Sequence, residues 1–401
     1  MEWYDFAIYG ALGVVVTPLF IPTDDSDTVL LAAFALYATA FVVRPVGAVL
    51  FGMRADARGR RGVFVSVLIL MTLATAAVGL LPVYATIGLM APVTLLLLRA
   101  TQGLAAGGEL GLAAVYIAES APRGRRGALS AWHTATLALG LAAGLGVGGL
   151  VTLLPAEQVQ AGWWRVPFLL SLPLGFVGIY LRRRGRESVL FQGPARSQPR
   201  PVSEVWANHR RAALTGFALI AAGALAFNTF FVFMPNHLVA VSDLEPAAAL
   251  LAAVIGLLAA AVSALRLGAL SDRLGRRPVV LGSVAAIAVG AVPITLAAQS
   301  GSFVALVLVE VVAGIAIGGT LSISLLAEMF PTAVRATGLG LTAGLATAVA
   351  GGTAPLVDQA LVLATGLDLA PAAYVVCVAA AAVVALRSWP ETAFQDLDHQ
   401  D

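Results

Sequence analysis

Long apolar runs separated by short polar stretches dominate the sequence. We predict helices for these runs, because a membrane-spanning segment must satisfy its own backbone hydrogen bonds and needs ~20 apolar residues. Barrel strands are shorter and alternate between apolar and polar positions. The pattern predicts an all-α integral membrane protein with twelve transmembrane helices, near 2–22, 28–52, 63–82, 87–118, 128–154, 164–182, 212–235, 246–268, 278–298, 302–326, 337–364 and 370–388.

Composition supports this class and excludes others. Of the 401 residues, 59% are hydrophobic and 11% are charged, which is too few charges for a water-soluble surface. A net charge of +2 argues against nucleic-acid binding. The single cysteine, Cys377, excludes disulfides, and neither a His-rich metal set nor a phosphate-binding loop is present. We therefore predict no catalytic residues, no metal and no cofactor.

Arginine placement predicts the orientation. Twenty of the 24 basic residues, all arginines, lie in or beside the loops 53–62, 119–127, 183–211, 269–277 and 327–336 or next to the C-terminal tail, whereas the alternate loops hold only Arg165. Positively charged loops stay on the cytoplasmic side. We expect a multi-pass plasma (inner) membrane protein with both termini in the cytoplasm. Its expected parts are an N-terminal six-helix half (1–182), a linker loop (183–211), a C-terminal half (212–388) and a tail (389–401).

Two loop motifs occur twice. The loop GMRADARGRR returns as GALSDRLGRR at an offset of 216 residues, and a second motif with Glu and Arg seven positions apart returns at an offset of 209. An internal duplication of six helices follows, and such pairs of repeats in transporters hold substrate near the midplane between them. The repeated positions are Gly52, Asp56, Arg60, Arg61, Glu119 and Arg126 in the first copy and Gly268, Asp272, Arg276, Arg277, Glu328 and Arg335 in the second.

The doubled G-x-x-x-D-x-x-G-R-R loop resembles the signature of the major facilitator superfamily. Three segments resemble its metabolite–proton symporter branch: EWYDFAIYG from Glu2, LLRATQGLAAGGELG from Leu97 and GWWRVPFLLS from Gly162. The resemblance implies alternating-access transport of small carboxylates or zwitterions, such as shikimate-like acids, di- and tricarboxylates and betaines. It also implies that the motif-bearing loops lock the cytoplasmic side.

Charged residues inside predicted spans are costly and mark functional sites. On the fourth helix, Arg99, Gln102 and Glu109 project on one face beside a strip of glycines, which predicts a cavity wall packed closely against a neighbouring helix. In related proton-driven sugar porters an Asp on helix 1 and an Arg on helix 4 form the coupling pair, which puts these roles on Asp5 and Arg99. A static ion pair is the alternative, and Glu109 and Glu2 are alternative proton sites, although solvation is the simpler expectation for Glu2.

Polar and aromatic side chains in the spans are candidates for substrate contacts, although packing explains each of them too. Glu310 occupies the repeat position of Arg99 and is included. We expect Asp358 and His237 to be solvated near the outer surface and Arg44 to extend toward the cytoplasm. The substrate-binding candidates are Tyr9, Gln102, Trp132, His133, Asn228, Thr229 and Glu310, of which His133 and Asn228 are preferred.

The repeated loop residues predict a cytoplasmic gate. Asp56 and Asp272 are expected to cap facing helix ends, while Arg60, Arg61, Arg276 and Arg277 pair with Glu119 and Glu328. The functional hypothesis is proton-coupled symport by a monomer in the bilayer. A proton-driven exporter on the same fold is the alternative, because secondary transport is reversible and its direction is not encoded in motifs. A sensor that no longer transports is disfavoured, since the gate and buried charges are retained.

Overall fold

The computed structural model describes residues 2–23, 25–58, 60–107, 121–122, 124–184, 201–242, 244–320, 322–331 and 334–394. Throughout these residues the regular structure is helical and includes no strand. Three π-helical turns occur, at Val159–Trp163, Thr229–Phe233 and Thr347–Gly352, and the last two lie between longer helices. The α-helices are α1 Glu2–Phe20, α2 Ser26–Val42, α3 Arg44–Arg58, α4 Arg60–Leu80, α5 Tyr84–Ile87, α6 Met90–Gly107, α7 Arg126–Thr152, α8 Ala156–Gln158, α9 Arg165–Leu169, α10 Ser171–Arg184, α11 Pro201–Asn208, α12 Arg210–Asn228, α13 Met234–Val241, α14 Pro246–Leu274, α15 Arg276–Ala298, α16 Phe303–Gly318, α17 Ile323–Glu328, α18 Arg335–Ala346, α19 Ala354–Thr365 and α20 Ala370–Arg387.

By length and composition, ten helical stretches within the described residues can cross a membrane. The two remaining predicted spans correspond to α4, whose apolar part is Val65–Leu80, and to α6. The predicted fourth span continues from α6 into residues 108–118, which lie outside the described residues. The twelve apolar runs of the sequence are thus accounted for.

The predicted second span is divided into two helices. α2 ends at Val42, and α3 begins at Arg44, directly before Pro45. Proline has no backbone N–H and its ring clashes with the preceding turn, so a continuous α-helix is disfavoured here. The apolar pattern does not reveal this division, because the apolar run continues across it into α3.

The glycines of α6 bring three helices into backbone contact. A Cβ atom added to Gly103 would overlap the carbonyl oxygen of Ala40 in α2, and one added to Gly107 would overlap that of Arg44 in α3. Small residues permit this close approach between membrane helices. The glycine strip predicted on this helix is therefore confirmed at Gly103 and Gly107. Gly314 of α16 approaches the carbonyl oxygen of Gly256 in α14 in the same way.

Substituting Gly103 tests the closeness of this packing. We expect Gly103→Ala to destabilise the protein by ~1–3 kcal/mol, the usual cost of forcing extra atoms into a packed contact. The matched control is Gly282→Ala on α15, where an added Cβ has no neighbour within 4 Å. The control gains up to ~1 kcal/mol of helix propensity. Thermal unfolding in detergent measures both, and a Gly103→Ala protein as stable as Gly282→Ala would contradict the packing.

The two longest helices join the two predicted repeats. α7 and α14 pack along each other, and α1 packs against α7. At one end of this contact, a Cβ atom added to Gly127 of α7 would overlap the carbonyl oxygen of Gly268 in α14. The helix ends that carry the repeated loop motifs therefore lie in direct contact.

Candidate functional site

Asp5 lies on α1 and is completely buried. Its carboxylate oxygens make no hydrogen bond of regular geometry within the described residues, and the Thr75 hydroxyl lies beside them. Glu2 and Arg99 both contribute to its electrostatic surroundings. The expected Asp5–Arg99 pair is therefore an arrangement of neighbouring charges here, without a hydrogen bond between the two side chains.

Arg99 is held by a network of its own. Its Nε donates to the carbonyl oxygen of Leu36 at 3.2 Å, and its Nη1 donates to Oε1 of Gln102 at 2.8 Å. The guanidinium carbon lies 4.1 Å from the centre of the Tyr9 ring, in cation–π geometry. Gln102 in turn donates to the hydroxyl of Thr75 at 2.8 Å. Because Tyr9 lies one helical turn from Asp5, α1 presents both side chains toward this arginine.

A cavity of about 80 Å³ lies between helices of the two predicted repeats. Its wall includes His133 of α7 and Asn228 of α12, the two preferred substrate candidates. Three aromatic side chains, Trp3, Phe41 and Phe227, also line it. A mostly apolar cavity with a few polar groups is the usual form of a small-molecule site.

Two consecutive residues at the start of a π-helical turn, Asn228 and Thr229, bond to different helices. Asn228, just before the turn, accepts a hydrogen bond from the Tyr37 hydroxyl at 2.9 Å and so connects α12 to α2. Thr229, the first residue of the turn, donates to Oδ2 of Asp358 on α19 at 2.7 Å. Such turns are frequent at functional sites because they redirect neighbouring side chains.

The other substrate candidates lie elsewhere. Trp132 is 56% exposed and does not line the cavity, since consecutive helical residues point about 100° apart and His133 takes the inward direction. Tyr9 and Gln102 surround Arg99, as described above. Glu310 is completely buried, and its carboxylate has no hydrogen-bond partner in the described part of the chain, but it does not line the cavity.

Two side chains that were expected to face solvent, Asp358 and His237, are buried instead. Asp358 is completely buried, so the expectation that it is solvated is wrong. His237 is 5% exposed: its ring stacks on Phe233, and its Nε2 lies 3.4 Å from a carboxylate oxygen of Asp368. Counting residues from a helix end estimates depth along the helix but does not tell which neighbouring helix covers each face.

Arg44 and Glu2 also differ from expectation. Arg44 is 1% exposed, and its Nη2 lies 3.3 Å from Oε1 of Glu2. The guanidinium carbon is 4.1 Å from the Phe41 ring centre, 4.4 Å from that of Phe6 and 5.2 Å from that of Trp3. Arg44 therefore faces the protein interior instead of extending toward the cytoplasm, and Glu2 is paired with it instead of being solvated.

At the far end of α14, the second copy of the loop motif forms a cluster. The carboxylate oxygens of Asp272 accept hydrogen bonds from the backbone N–H groups of Gly127 and Ala128, both at 2.9 Å. These N–H groups begin α7, where the helix dipole favours a negative charge. Arg276 bonds to Asp272 at 2.6 Å and lies 3.4 Å from Glu328. One aspartate thus joins the two repeats.

The remaining gate candidates divide into two groups. Arg335 is buried and donates to the carbonyl oxygens of Ala327 and Phe330, at 3.0 and 3.3 Å, and Arg126 is buried at the start of α7. Arg277 donates to the carbonyl oxygen of Arg387. The second group lies outside what the structure describes: the surroundings of Gly52, the side chains of Asp56, Arg60 and Arg61, and the whole of Glu119. The proton-coupling candidate Glu109 also lies outside the described residues.

Sequence reasoning missed two residues that join this cluster from the tail. Glu391 accepts hydrogen bonds from the backbone N–H groups of Arg276 and Arg277, at 2.7 and 3.1 Å. The hydroxyl of Thr392 donates to Glu328 at 2.6 Å. No repeat marks these positions, because their contacts arise only when the chain after α20 turns back toward α15.

The chain is similar to known membrane transporters. The Major Facilitator Superfamily pattern matches residues 4–355. The ectoine/proline transporter ProP of Corynebacterium glutamicum is 36% identical over 420 residues, covering 99% of this chain and 83% of that protein. The proline/betaine transporter of Salmonella typhimurium is 32% identical over 422 residues, covering 99% and 82%.

Solved structures show the same fold. The proton:xylose symporter XylE bound to 6-bromo-6-deoxy-D-glucose superposes with a TM-score of 0.77 at 18% identity, covering 99% of this chain and 94% of that one. XylE from E. coli in an inward-open conformation gives a TM-score of 0.71 at 19% identity, covering 99% and 95%. The chain therefore belongs to the major facilitator superfamily, whose members are multi-pass membrane transporters and not enzymes.

Proposed function

We propose that the chain is a secondary active transporter that couples the symport of a small organic acid or zwitterion to protons by alternating access. Proline and betaine are the first substrates to test, because the Corynebacterium relative is named as an ectoine/proline transporter and the Salmonella relative as a proline/betaine transporter. The observation that carries the proposal is Asp5: a fully buried carboxylate on α1, next to the Arg99 network.

Asp5 has the properties of a proton carrier. An ionisable group inside a membrane protein is expensive, so it marks a proton or ion pathway by default. Arg99 is fixed by Leu36 and Gln102, so a movement of α1 would change the distance between Asp5 and a stationary positive charge. Proton uptake and release by Asp5 would follow that movement, and Glu109, which lies outside the described residues, is the second candidate.

The 80 Å³ cavity is the proposed substrate site. Aromatic rings bind ammonium groups through cation–π contacts, and Trp3, Phe41 and Phe227 provide three of them. His133 and Asn228 supply polar groups on the opposite repeats. A zwitterion with a compact cation fits this combination better than a sugar, which would require many more hydrogen-bonding side chains.

The Asp272 cluster is the proposed cytoplasmic gate. Its hydrogen bonds to the start of α7 would have to break whenever the two repeats separate on that side. The arginine-rich loops favour placing this side, and both termini, in the cytoplasm. We further propose that residues 1–182 and 212–388 are the two moving halves, joined by 183–211, and that the transporter acts as a monomer.

Uptake by reconstituted protein tests the function. Purified protein in proteoliposomes is given radiolabelled proline or betaine, with the outside more acidic than the inside. We expect accumulation above the external concentration that a protonophore abolishes. Uptake that only equilibrates would contradict proton coupling. Expulsion of preloaded substrate driven by an inward proton gradient would instead favour the exporter.

A further inference from the structure

Arg44 is a buried cation with unused hydrogen-bonding capacity. A guanidinium has five N–H donors. None of the three side-chain nitrogens of Arg44 has a hydrogen-bond partner among the residues that the structure describes. Its contact with Glu2, at 3.3 Å, is an ion pair without hydrogen-bond geometry. Buried donors without acceptors are costly, so such a group is a candidate binding site for an anion.

Arg99, the other buried arginine of this region, differs in this respect. Two of its nitrogens already donate, to Leu36 and Gln102. Only its Nη2 is without a hydrogen-bond partner in the described residues. At Arg99 only Nη2 is therefore available to a substrate anion unless an existing bond is displaced, whereas at Arg44 all three nitrogens are available.

Arg44 lies directly behind the cavity wall. The rings of Trp3 and Phe41 both line the cavity, and their centres are 5.2 and 4.1 Å from the guanidinium carbon. Trp3 is only partly buried. Changes of side-chain rotamer at a binding site are common when a ligand binds. A turn of one aromatic side chain would therefore bring the guanidinium into contact with the cavity contents.

We propose that Arg44 is the carboxylate anchor of the substrate cavity: its guanidinium binds the carboxylate of a zwitterionic substrate while the lining aromatic rings face the substrate's cation. Guanidinium and carboxylate form two parallel hydrogen bonds, which fix orientation as well as charge. In this arrangement Glu2 is the ion-pair partner of Arg44 when no substrate is bound, and the substrate carboxylate replaces Glu2 on binding. The inference rests on the proposed function, because it takes the substrate to be a zwitterion.

Binding to purified protein tests the anchor. We measure the binding of radiolabelled betaine and of radiolabelled choline directly, because choline carries the same trimethylammonium group without a carboxylate. Wild type is expected to prefer betaine. Arg44→Gln is expected to weaken betaine binding roughly 10- to 100-fold, the factor for losing a hydrogen bond to a charged group, and to leave choline binding unchanged. The matched control is Arg266→Gln, an exposed arginine on α14.

The outcomes separate the anchor from the function. A folded Arg44→Gln protein with unchanged betaine affinity, or with betaine and choline weakened equally, overturns the anchor and leaves Arg44 as a packing residue. Absence of a preference for betaine in wild type overturns it as well. If Arg44→Gln does not fold, Arg44→Lys is measured, and full betaine affinity there contradicts two-bond recognition, which lysine cannot provide. Wild-type protein that binds neither proline nor betaine refutes the proposed function itself.

Discussion

Replacing Asp5 by asparagine is expected to abolish proton-driven accumulation while preserving exchange of substrate across the membrane. Asparagine keeps the size of the side chain, but its amide does not take up a proton at the pH of transport. The carrier can then still change conformation with substrate bound, so counterflow continues, but the proton gradient no longer contributes energy. Proteoliposomes loaded with unlabelled substrate measure counterflow, and the same vesicles under an imposed proton gradient measure accumulation.

The control for this variant is Glu157→Gln, which neutralises an exposed carboxylate in the predicted outer loop. We expect it to behave as wild type in both measurements. Unchanged accumulation by Asp5→Asn would remove Asp5 from the coupling mechanism and direct attention to Glu109. Loss of both accumulation and counterflow in a folded Asp5→Asn protein would show that Asp5 is needed for substrate binding instead.

Removing the Asp272 carboxylate is expected to open the proposed gate. Asp272→Ala leaves the N–H groups of Gly127 and Ala128 without their acceptors and removes one partner of Arg276. A hydrogen bond to a charged group is worth ~1.5–3 kcal/mol, so the loss of even one of these bonds should raise the population open on this side roughly 10- to 100-fold. Buried Ser130, which lines a small cavity beside these contacts, should become accessible.

Cysteine labelling measures this opening. The chain has one cysteine, so Cys377→Ala provides a background in which Ser130→Cys is the only thiol. Inside-out vesicles are treated with a membrane-impermeant maleimide, and the labelling rate is compared with and without Asp272→Ala. The control is Glu204→Ala, which removes a half-buried carboxylate whose hydrogen-bond partner, Asn208, lies on the same helix α11. Equal labelling rates in all three proteins would mean that Asp272 does not hold the gate.

Several features of the fold could be read from local patterns. Within the described residues the apolar runs became helices, some of them divided, since a membrane leaves no other way to satisfy the backbone. The glycines of α6 predicted close contact between helices, because the positions that lack a side chain can be read directly from the sequence. The break before Arg44 could not be located from hydrophobicity, although Pro45 in the middle of the run was a visible signal.

Errors arose where burial depends on a distant helix. His237 and Asp358 are covered by neighbouring segments, and Arg44 is enclosed by aromatic rings from α1 and α2. In each case the position along the helix was estimated from the sequence, while the environment of the side chain was set by helices far away in the chain. The same limitation hid Glu391 and Thr392, whose partners lie in α15 and α17.

The sequence by itself determined the class of protein, the number of spans, the repeated motifs and the scarcity of charge in the membrane, because each depends on the composition of one segment or on the spacing of matching residues. Only the tertiary structure decided which charges meet. It brought the Arg99 guanidinium over the Tyr9 ring and hydrogen-bonded Asp272 to the start of α7. It also placed Arg44 behind the aromatic side chains that line the cavity. These contacts depend on the rotation of each helix about its axis and on close packing between helices, and neither is encoded in any single segment.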